Sequence, residues 1–282
     1  MDENIFITKS EFIDLDIRKN RPKISGGNIN ADNTFIKHSL LLPKSELTGK
    51  RILDLGSCNA ASGAWVLNYG ASFYKGVELL PNLAKRSRIL LKKYYSPLKW
   101  NIENLEIEQF LKDNDTSYDI TIIAEILHAL SDPISVLREI TKISKVIVIE
   151  STHPSILQKT NFLNEELKMQ ILNSPDYENY IENEPFMGFG IEGMTLPDEQ
   201  TLLFKSLKPS LGLLKSFMRN EGYIYNDFAN KHLKELLPNI YSKYNKYAAI
   251  FIKKEDVPKK NYGFNAALEG TTKSKIYKWR KY

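Results

Sequence analysis

The residues best suited to chemistry lie between positions 51 and 79, in the stretch RILDLGSCNAASGAWVLNYGASFYKGVEL. An apolar strand ends in Asp54-Leu55-Gly56, small residues then open a helix, and a second strand ends on the carboxylate of Glu78. Glu78 follows Gly56 by 22 residues, close to the interval of about 20 in nucleotide-binding β-α-β units. Since a helix N-terminus offers N–H donors and Glu78 offers acceptors to a ribose diol, this order predicts a bound adenosine, and therefore a cofactor.

The glycine spacing of the loop indicates which class of cofactor fits. A dinucleotide needs the run G-x-G-x-x-G, because its pyrophosphate must approach bare backbone. Only Gly56 is a glycine here; Cys58 holds the second expected position, and alanines stand at positions 60 and 61, where the third is expected. This pattern argues against NAD and suits a ligand without phosphate, such as S-adenosylmethionine. On these residues the segment resembles motif I of the class I S-adenosylmethionine-dependent methyltransferases.

The resemblance implies roles for individual residues in binding S-adenosylmethionine. Asp54 and Gly56 would hold the methionine end, Glu78 the ribose, and the end of the third predicted strand would border the adenine. The complete set that the resemblance implies is Asp54, Gly56, Cys58, Glu78, Leu79, Asn101, Ile102 and Ala124. Three alternatives stay open: an ordinary β-α-β crossover without a ligand, a weak or degenerate site, and a merely polar strand end at Asn101.

A candidate catalytic residue follows the fourth predicted strand, in the segment AEILHALSDP at residues 124–133. The segment is similar to the L-H-x-x-S-D motif of small-molecule O-methyltransferases, in which the histidine acts as a base, and His128 occupies that position. Glu125 could orient the imidazole; alternatively, His128 only packs or caps a helix. His153 could also reach a substrate, because the carboxyl ends of parallel strands border ligand crevices.

The order of elements predicts an α/β fold, because strands and helices alternate from Arg51 onward. The resemblance implies a seven-stranded, mostly parallel Rossmann-like methyltransferase sheet, with helices on both faces and a lid insertion after the fifth strand. The last strand would be antiparallel beside the fifth. We predict an N-terminal cap over residues 1–49, a methyltransferase domain over 50–254 and a basic aromatic tail over 255–282. The insertion, residues 151–205, should be part helix and part loop.

Composition excludes several classes of protein. With 282 residues, of which 42% are hydrophobic, the chain can bury a sizeable core. Cys58 is the single cysteine, so neither an intrachain disulfide nor a cysteine-based zinc site is expected, and the histidine spacing predicts no other metal site. The start lacks a secretory pattern, and no apolar run approaches the roughly 18–20 residues of a membrane helix. We therefore expect a soluble, cytoplasmic protein with no membrane partner.

Charge is distributed unevenly along the chain. The tail from Lys253 to Tyr282 holds nine Lys or Arg against three acids, whereas residues 151–205 hold nine acids against three lysines. An acidic insertion over the active site would repel a polyanion, which favours a small neutral or cationic methyl acceptor. The aromatic, basic tail keeps an RNA-modifying methyltransferase open as an alternative, although a nucleic-acid partner is not favoured. A non-catalytic, degenerate methyltransferase fold is the other alternative, and the oligomeric state is not predicted.

Overall fold

The structure is a computed structural model that describes residues 31–154, 166, 170, 182–195, 201–241 and 246–256. Most of the predicted N-terminal cap, nearly all of the predicted tail and more than half of the predicted insertion lie outside these residues. Along the described ranges, no helix is long and apolar enough to cross a membrane.

Seven strands form one sheet in the order β3-β2-β1-β4-β5-β9-β8. The strands β1 to β5 run parallel, and β9 is antiparallel to both of its neighbours. This confirms the predicted fold class, including the antiparallel last strand beside the fifth. The strands are β1 Arg51–Leu55, β2 Phe73–Val77, β3 Trp100–Glu103, β4 Tyr118–Ala124, β5 Ser144–Thr152, β8 Tyr223–Asn226 and β9 Lys246–Lys253.

Helices cover both faces of this sheet. Local signals explain where several of them begin. Pro81 opens the helix Pro81–Tyr94. The side chains of Asp132 and Ser210 cap the helices Pro133–Ile143 and Leu211–Asn220 by accepting from Ser135 N and Leu213 N. The helices are α1 Ala31–Leu41, α2 Ala61–Asn68, α3 Pro81–Tyr94, α4 Ile107–Asp113, α5 Pro133–Ile143, α6 Leu211–Asn220, α7 Phe228–Leu236 and α8 Pro238–Tyr241.

The core consists of two apolar layers, one on each face of the sheet. Trp65 and Leu91 belong to the layer beneath α1, α2, α3, α7 and α8, and Leu137 and Leu214 to the layer beneath α4, α5 and α6. All four side chains are fully buried. Because both faces of the parallel strands are covered, only the strand ends can present polar groups to a ligand.

The insertion after β5 differs from the predicted mixture of helix and loop. The described part of it contains an antiparallel hairpin of β6 Met187–Thr195 and β7 Thr201–Pro209. The glycine-rich patch Met187–Met194 forms a strand, because β7 supplies a cross-strand partner for each of its residues. Gly188 lies so close to Pro154 that an added Cβ would overlap the proline ring. That glycine allows close packing of the hairpin against the end of β5.

Candidate functional site

The loop after β1 keeps the backbone conformation of a glycine-rich loop although it contains one glycine. Gly56, Cys58 and Ala60 have φ angles of 76°, 51° and 58°. The N–H groups of Gly56 and Ser57 donate to the carbonyl oxygen of Val77 at 2.9 and 3.0 Å, so the loop folds back over the end of β2. Cys58 and Ala60 thus adopt the left-handed geometry in which glycine is favoured.

Close packing and unpaired polar groups both mark this loop. A Cβ on Gly56 would lie 3.1 Å from the Ile126 side chain, so the segment after β4 packs directly on the loop. Asn59 is only 2% exposed, and neither polar atom of its amide has a hydrogen-bond partner among the described residues. A buried amide without a partner is costly and is found where a ligand or water completes it. Sequence reasoning missed Asn59, because burial of its side chain is a tertiary property.

Glu78 lies beside the loop and is held by its backbone. Its two carboxylate oxygens accept from Cys58 N at 2.8 Å and Leu80 N at 2.9 Å. Burial raises the pKa of Glu78, and the backbone N–H groups that bond its ionised form oppose that shift. Each carboxylate oxygen has a second lone pair, so the fixed carboxylate can still accept from the two hydroxyl groups of a ribose.

Asp54 is buried in β1 under the same loop. Its Oδ2 accepts from the Tyr74 hydroxyl at 2.8 Å. Burial raises the pKa of Asp54 to about 7, although the hydrogen bond from Tyr74 favours the ionised form. Asp54 can therefore change charge near neutral pH, and its ionised form would attract the ammonium group of a bound amino acid.

The predicted adenine side is only partly assembled around Glu78. Asn101 is exposed and pairs with Lys75 inside β3, which continues to Glu103, so Asn101 does not reach the strand end. Ile102 is buried. The Asn104 amide instead donates at 2.8 Å to each of the carbonyl oxygens of Glu78 and Leu79. Asn104 therefore fixes the turn after β2, a role that its position next to the predicted strand end could have suggested.

Leu79 and Ala124 lie at the carboxyl edge of the sheet. The Leu79 side chain follows Glu78 and is 56% exposed, which leaves an apolar surface beside the Glu78 carboxylate. Ala124 is the last residue of β4 and lines a small cavity between α1, α2 and the ends of β4 and β5. Both residues therefore lie at the edge where the parallel strands end.

His128 lies in a 3-10 helix, Leu127–Ala129, directly after β4. The preceding Glu125 has a φ of 58°, a strained conformation for a residue with a side chain. Ile126 packs on Gly56, and β7 of the hairpin contacts the 3-10 helix from the other side. The segment that carries His128 thus contacts both the loop after β1 and the hairpin of the insertion.

A network of charges, which sequence reasoning did not identify, spans the ends of β4, β5 and β9. Glu150 is 2% exposed, pairs with Lys37 of α1 at 2.8 Å and accepts from the Tyr241 hydroxyl at 2.8 Å. Burial alone would raise the pKa of Glu150, but Lys37, Lys246 and the tyrosine outweigh it and lower the pKa to about 2. Glu125 pairs with Lys246 at 2.8 Å. The network joins α1 to the carboxyl edge of the sheet.

His153 is buried beneath the hairpin instead of facing an open crevice. It is 2% exposed, and its ring centroid lies 4.5 Å from that of Tyr247. His38 is also buried; it contacts the Thr34 carbonyl and the Ser62 hydroxyl and stacks on Trp65. Within the described ranges, no group of three or more His, Cys, Asp or Glu side chains could hold a metal ion.

The donor set of this edge fits an adenosine cofactor without phosphate. Comparison with known proteins agrees: residues 53–146 match the family model of a methyltransferase domain. The fold is similar to that of a proposed S-adenosylmethionine-dependent methyltransferase from Listeria monocytogenes, with a TM-score of 0.53 and 13% identity over 79% of this chain and 99% of that one. It is also similar to that of an S-adenosylmethionine-dependent methyltransferase from Clostridium acetobutylicum, with a TM-score of 0.50 and 9% identity over 82% of this chain and 95% of that one. No curated protein matches the chain.

Proposed function

The chain belongs to the class I S-adenosylmethionine-dependent methyltransferase superfamily and is a methyltransferase, and from that premise we propose that it methylates a hydroxyl group of a small neutral or cationic molecule. When bound, S-adenosylmethionine supplies a methyl group activated by a sulfonium centre. The protein has to orient the two reactants, exclude water and remove the proton of the hydroxyl.

In this proposal the half of the edge formed by β1, β2 and β3 holds the cofactor. Glu78 accepts from the ribose hydroxyls, and ionised Asp54 attracts the ammonium group of the methionine end. The left-handed loop of Gly56, Cys58 and Ala60 gives the ligand close access to the backbone. Support comes from the two backbone N–H groups that fix the Glu78 carboxylate at 2.8 and 2.9 Å.

Further residues complete this proposed cofactor site. The buried Asn59 amide contributes a donor and an acceptor to the ligand. Leu79, Ile102 and Ala124 provide apolar surface near the adenosine, and Asn101 is the polar candidate on the adenine side. The proposal gives Asn101 the weakest contact, because it lies two residues before the end of β3.

His128 is the proposed general base for the acceptor hydroxyl. The observation that carries this role is its place in a 3-10 helix that contacts the cofactor loop through Ile126 and the hairpin through β7. A base must lie within hydrogen-bonding reach of the proton that it removes. A side chain between the cofactor half and the insertion meets this requirement if the insertion covers the acceptor.

Charge supports a small acceptor over a nucleic acid. The insertion after β5 carries nine acids against three lysines, whereas the carboxylates of Glu103, Glu125 and Glu150 at the strand ends pair with lysines. Negative charge of this extent repels phosphate groups, and a nucleic-acid surface needs the opposite sign. A neutral or cationic metabolite meets no such barrier.

The experiment measures where the methyl group goes. Purified protein with methyl-tritiated S-adenosylmethionine is incubated separately with the protein-free small-molecule fraction of a cell extract and with total RNA from the same extract. We expect nuclease-resistant label in the small-molecule fraction, and none with Gly56→Val, whose side chain would collide with Ile126. Label in RNA would instead favour the RNA-modifying alternative, with residues 255–282 as its docking surface.

Calorimetry separates both enzymes from a degenerate fold. We expect the protein to bind S-adenosylmethionine with a dissociation constant in the micromolar range, about −7 to −9 kcal/mol. No binding heat and no thermal shift at millimolar ligand would mean that the fold has lost its cofactor site.

A further inference from the structure

The base of the hairpin closes over the end of β5 and the start of β9. Gly188 of β6 packs on Pro154, and the Tyr247 hydroxyl of β9 donates to the carbonyl oxygen of Pro209, the last residue of β7, at 2.9 Å. Tyr247 pairs with Ser151 of β5 in the sheet and packs on His153. The base of the hairpin, the end of β5 and the start of β9 thus meet in one small region.

Two polar side chains in this region are buried but not paired. His153, next to Pro154, is 2% exposed. Ser206 of β7 is 0% exposed and lies two residues before Lys208, the cross-strand partner of Gly188, so it is on the face of the hairpin that packs on Pro154. Both ring nitrogens of His153 and the Ser206 hydroxyl have no hydrogen-bond partner in the part of the chain that the structure describes. Unpaired buried polar atoms are rare in native proteins, because each loses its hydrogen bonds to water, and they commonly mark a functional site.

The chemistry of these groups restricts what can complete them. Burial, together with the positive charges of Lys234 and Lys215, lowers the pKa of His153 to about 3, so the imidazole is neutral at physiological pH. A neutral imidazole offers one N–H donor and one acceptor nitrogen, and a serine hydroxyl offers both functions. A ligand hydroxyl also donates and accepts, whereas a carboxylate only accepts and an ammonium only donates.

We propose that His153 and Ser206 form a subsite that binds an uncharged hydroxyl group of the methyl acceptor. This inference rests on the proposed function and extends it. The acceptor carries a second hydroxyl besides the one to be methylated, as a sugar or other polyol does. Ser206 lies in β7, the strand that also contacts the 3-10 helix of His128. Binding of the second hydroxyl therefore links closure of the hairpin to placement of the first hydroxyl near His128.

The subsite also explains how the hairpin could respond to an acceptor. With no ligand, closing the hairpin removes His153 and Ser206 from water without giving them partners. An acceptor hydroxyl supplies those partners only in the closed arrangement, so it stabilises that arrangement selectively. His153 and Ser206 are thus positioning residues for the acceptor, and His128 remains the proposed catalytic base.

Two variants test the subsite through effects of opposite sign. Ser206→Ala and His153→Phe remove the unpaired polar atoms, and the phenylalanine keeps an aromatic ring against Tyr247. We expect both variants to bind S-adenosylmethionine as the wild type does in calorimetry and to unfold at the same or a higher temperature. In methyl transfer to the small-molecule fraction, each should need about tenfold more of the fraction for half-maximal rate, the loss expected for one hydrogen bond.

Ser210→Ala is the matched control. Ser210 is equally buried, but its hydroxyl is fully bonded: it donates to the Glu184 carbonyl and accepts from Leu213 N and Phe186 N. This variant should unfold at a lower temperature and show unchanged saturation. Unchanged saturation in both Ser206→Ala and His153→Phe would overturn the subsite alone. Wild-type protein that binds the cofactor but labels only RNA would instead overturn the small-molecule proposal.

Discussion

The two halves of the sheet's carboxyl edge hold their carboxylates in different ways. On the side of β1 and β2, Glu78 is held by backbone N–H groups and Asp54 by the Tyr74 hydroxyl, across 2 to 20 residues of sequence. On the side of β4, β5 and β9, Glu150 is held by Lys37 and Tyr241, 113 and 91 residues away. Glu125 pairs with Lys246 of the last strand.

This difference has an electrostatic consequence. Burial raises the pKa of both Asp54 and Glu78, whereas at Glu150 the nearby lysines outweigh burial and lower the pKa. In our proposal the β1–β2 half uses these carboxylates to bind a cationic, hydroxylated cofactor. In the β4–β5–β9 half, Glu150 and Glu125 already pair with lysines, and the proposed subsite binds the acceptor through uncharged groups. Each half can be tested by changes that should leave the other half unaffected.

The largest expected effect on activity comes from a change in the β4–β5–β9 half. His128→Ala should reduce turnover by about 10² to 10⁴-fold, the usual contribution of a general base, and should leave cofactor affinity unchanged. Radiolabel transfer and calorimetry measure the two quantities, and His232→Ala on α7 is the control histidine. If turnover fell less than tenfold, the enzyme would work by proximity alone, and His128 would be structural.

The next largest effect is on cofactor affinity and comes from a change in the β1–β2 half. Glu78→Ala should weaken S-adenosylmethionine binding by about 1.5–3 kcal/mol, because charge-assisted hydrogen bonds to the ribose are lost. Glu103→Gln is the matched change on the adjacent strand, where the carboxylate instead pairs with Lys75 at 2.6 Å. Its cofactor affinity should stay within a few-fold of the wild type. Equal losses in the two variants would mean that general negative charge, and not Glu78, holds the cofactor.

A pH titration tests the charge state of Asp54. Since its pKa in the ligand-free protein is about 7, cofactor affinity should rise up to about tenfold per pH unit below 7 and level off above it. Asp54→Asn should remove this dependence. A wild-type affinity that does not change between pH 6 and 8 would show that Asp54 does not pair with the cofactor.

The raised pKa of Asp54 also predicts how the stability of the folded chain depends on pH. The pKa of Asp54 is raised from its ordinary value of 3.8 to about 7, so the folded chain binds the proton more tightly than the unfolded chain. Its contribution to stability is therefore complete below about pH 4 and is lost as the pH rises through 7. Chemical denaturation of wild type and Asp54→Asn across this range measures the difference.

The smallest effect concerns the loop itself. Cys58→Gly and Ala60→Gly should each raise the free energy of unfolding by up to about 1 kcal/mol, because glycine adopts a positive φ without strain. Ala61→Gly, one position further in α2, should lower it by about 0.5–1 kcal/mol. The contrast in sign is measurable by denaturant titration. Destabilisation by all three would mean that the left-handed loop is not strained.

Much of the fold could be predicted, because its signals are local. Apolar runs, a helix-opening proline and terminal glycines predict strands over Arg51–Leu55, Phe73–Val77 and Lys246–Lys253 and a helix over Pro81–Tyr94, and β1, β2, β9 and α3 have these bounds. Glu78 could be assigned from its distance to Gly56 along the chain. Asn101 was expected at a strand end and lies inside β3, because the register with β2, and not residue type, decides where an edge strand stops.

The sequence by itself determined the parallel sheet, the loop after β1 and the acidic residue after β2, because each depends on residues within about 25 positions of one another. Only the tertiary structure decided that the glycine-rich patch becomes a strand, since its partner β7 supplies the hydrogen bonds. It also decided that Lys37 neutralises Glu150 and that His153 and Ser206 are buried without partners. Those properties depend on which distant elements meet at the sheet edge and exclude water there. Local periodicity reports only on residues that are close in the sequence, so it cannot predict them.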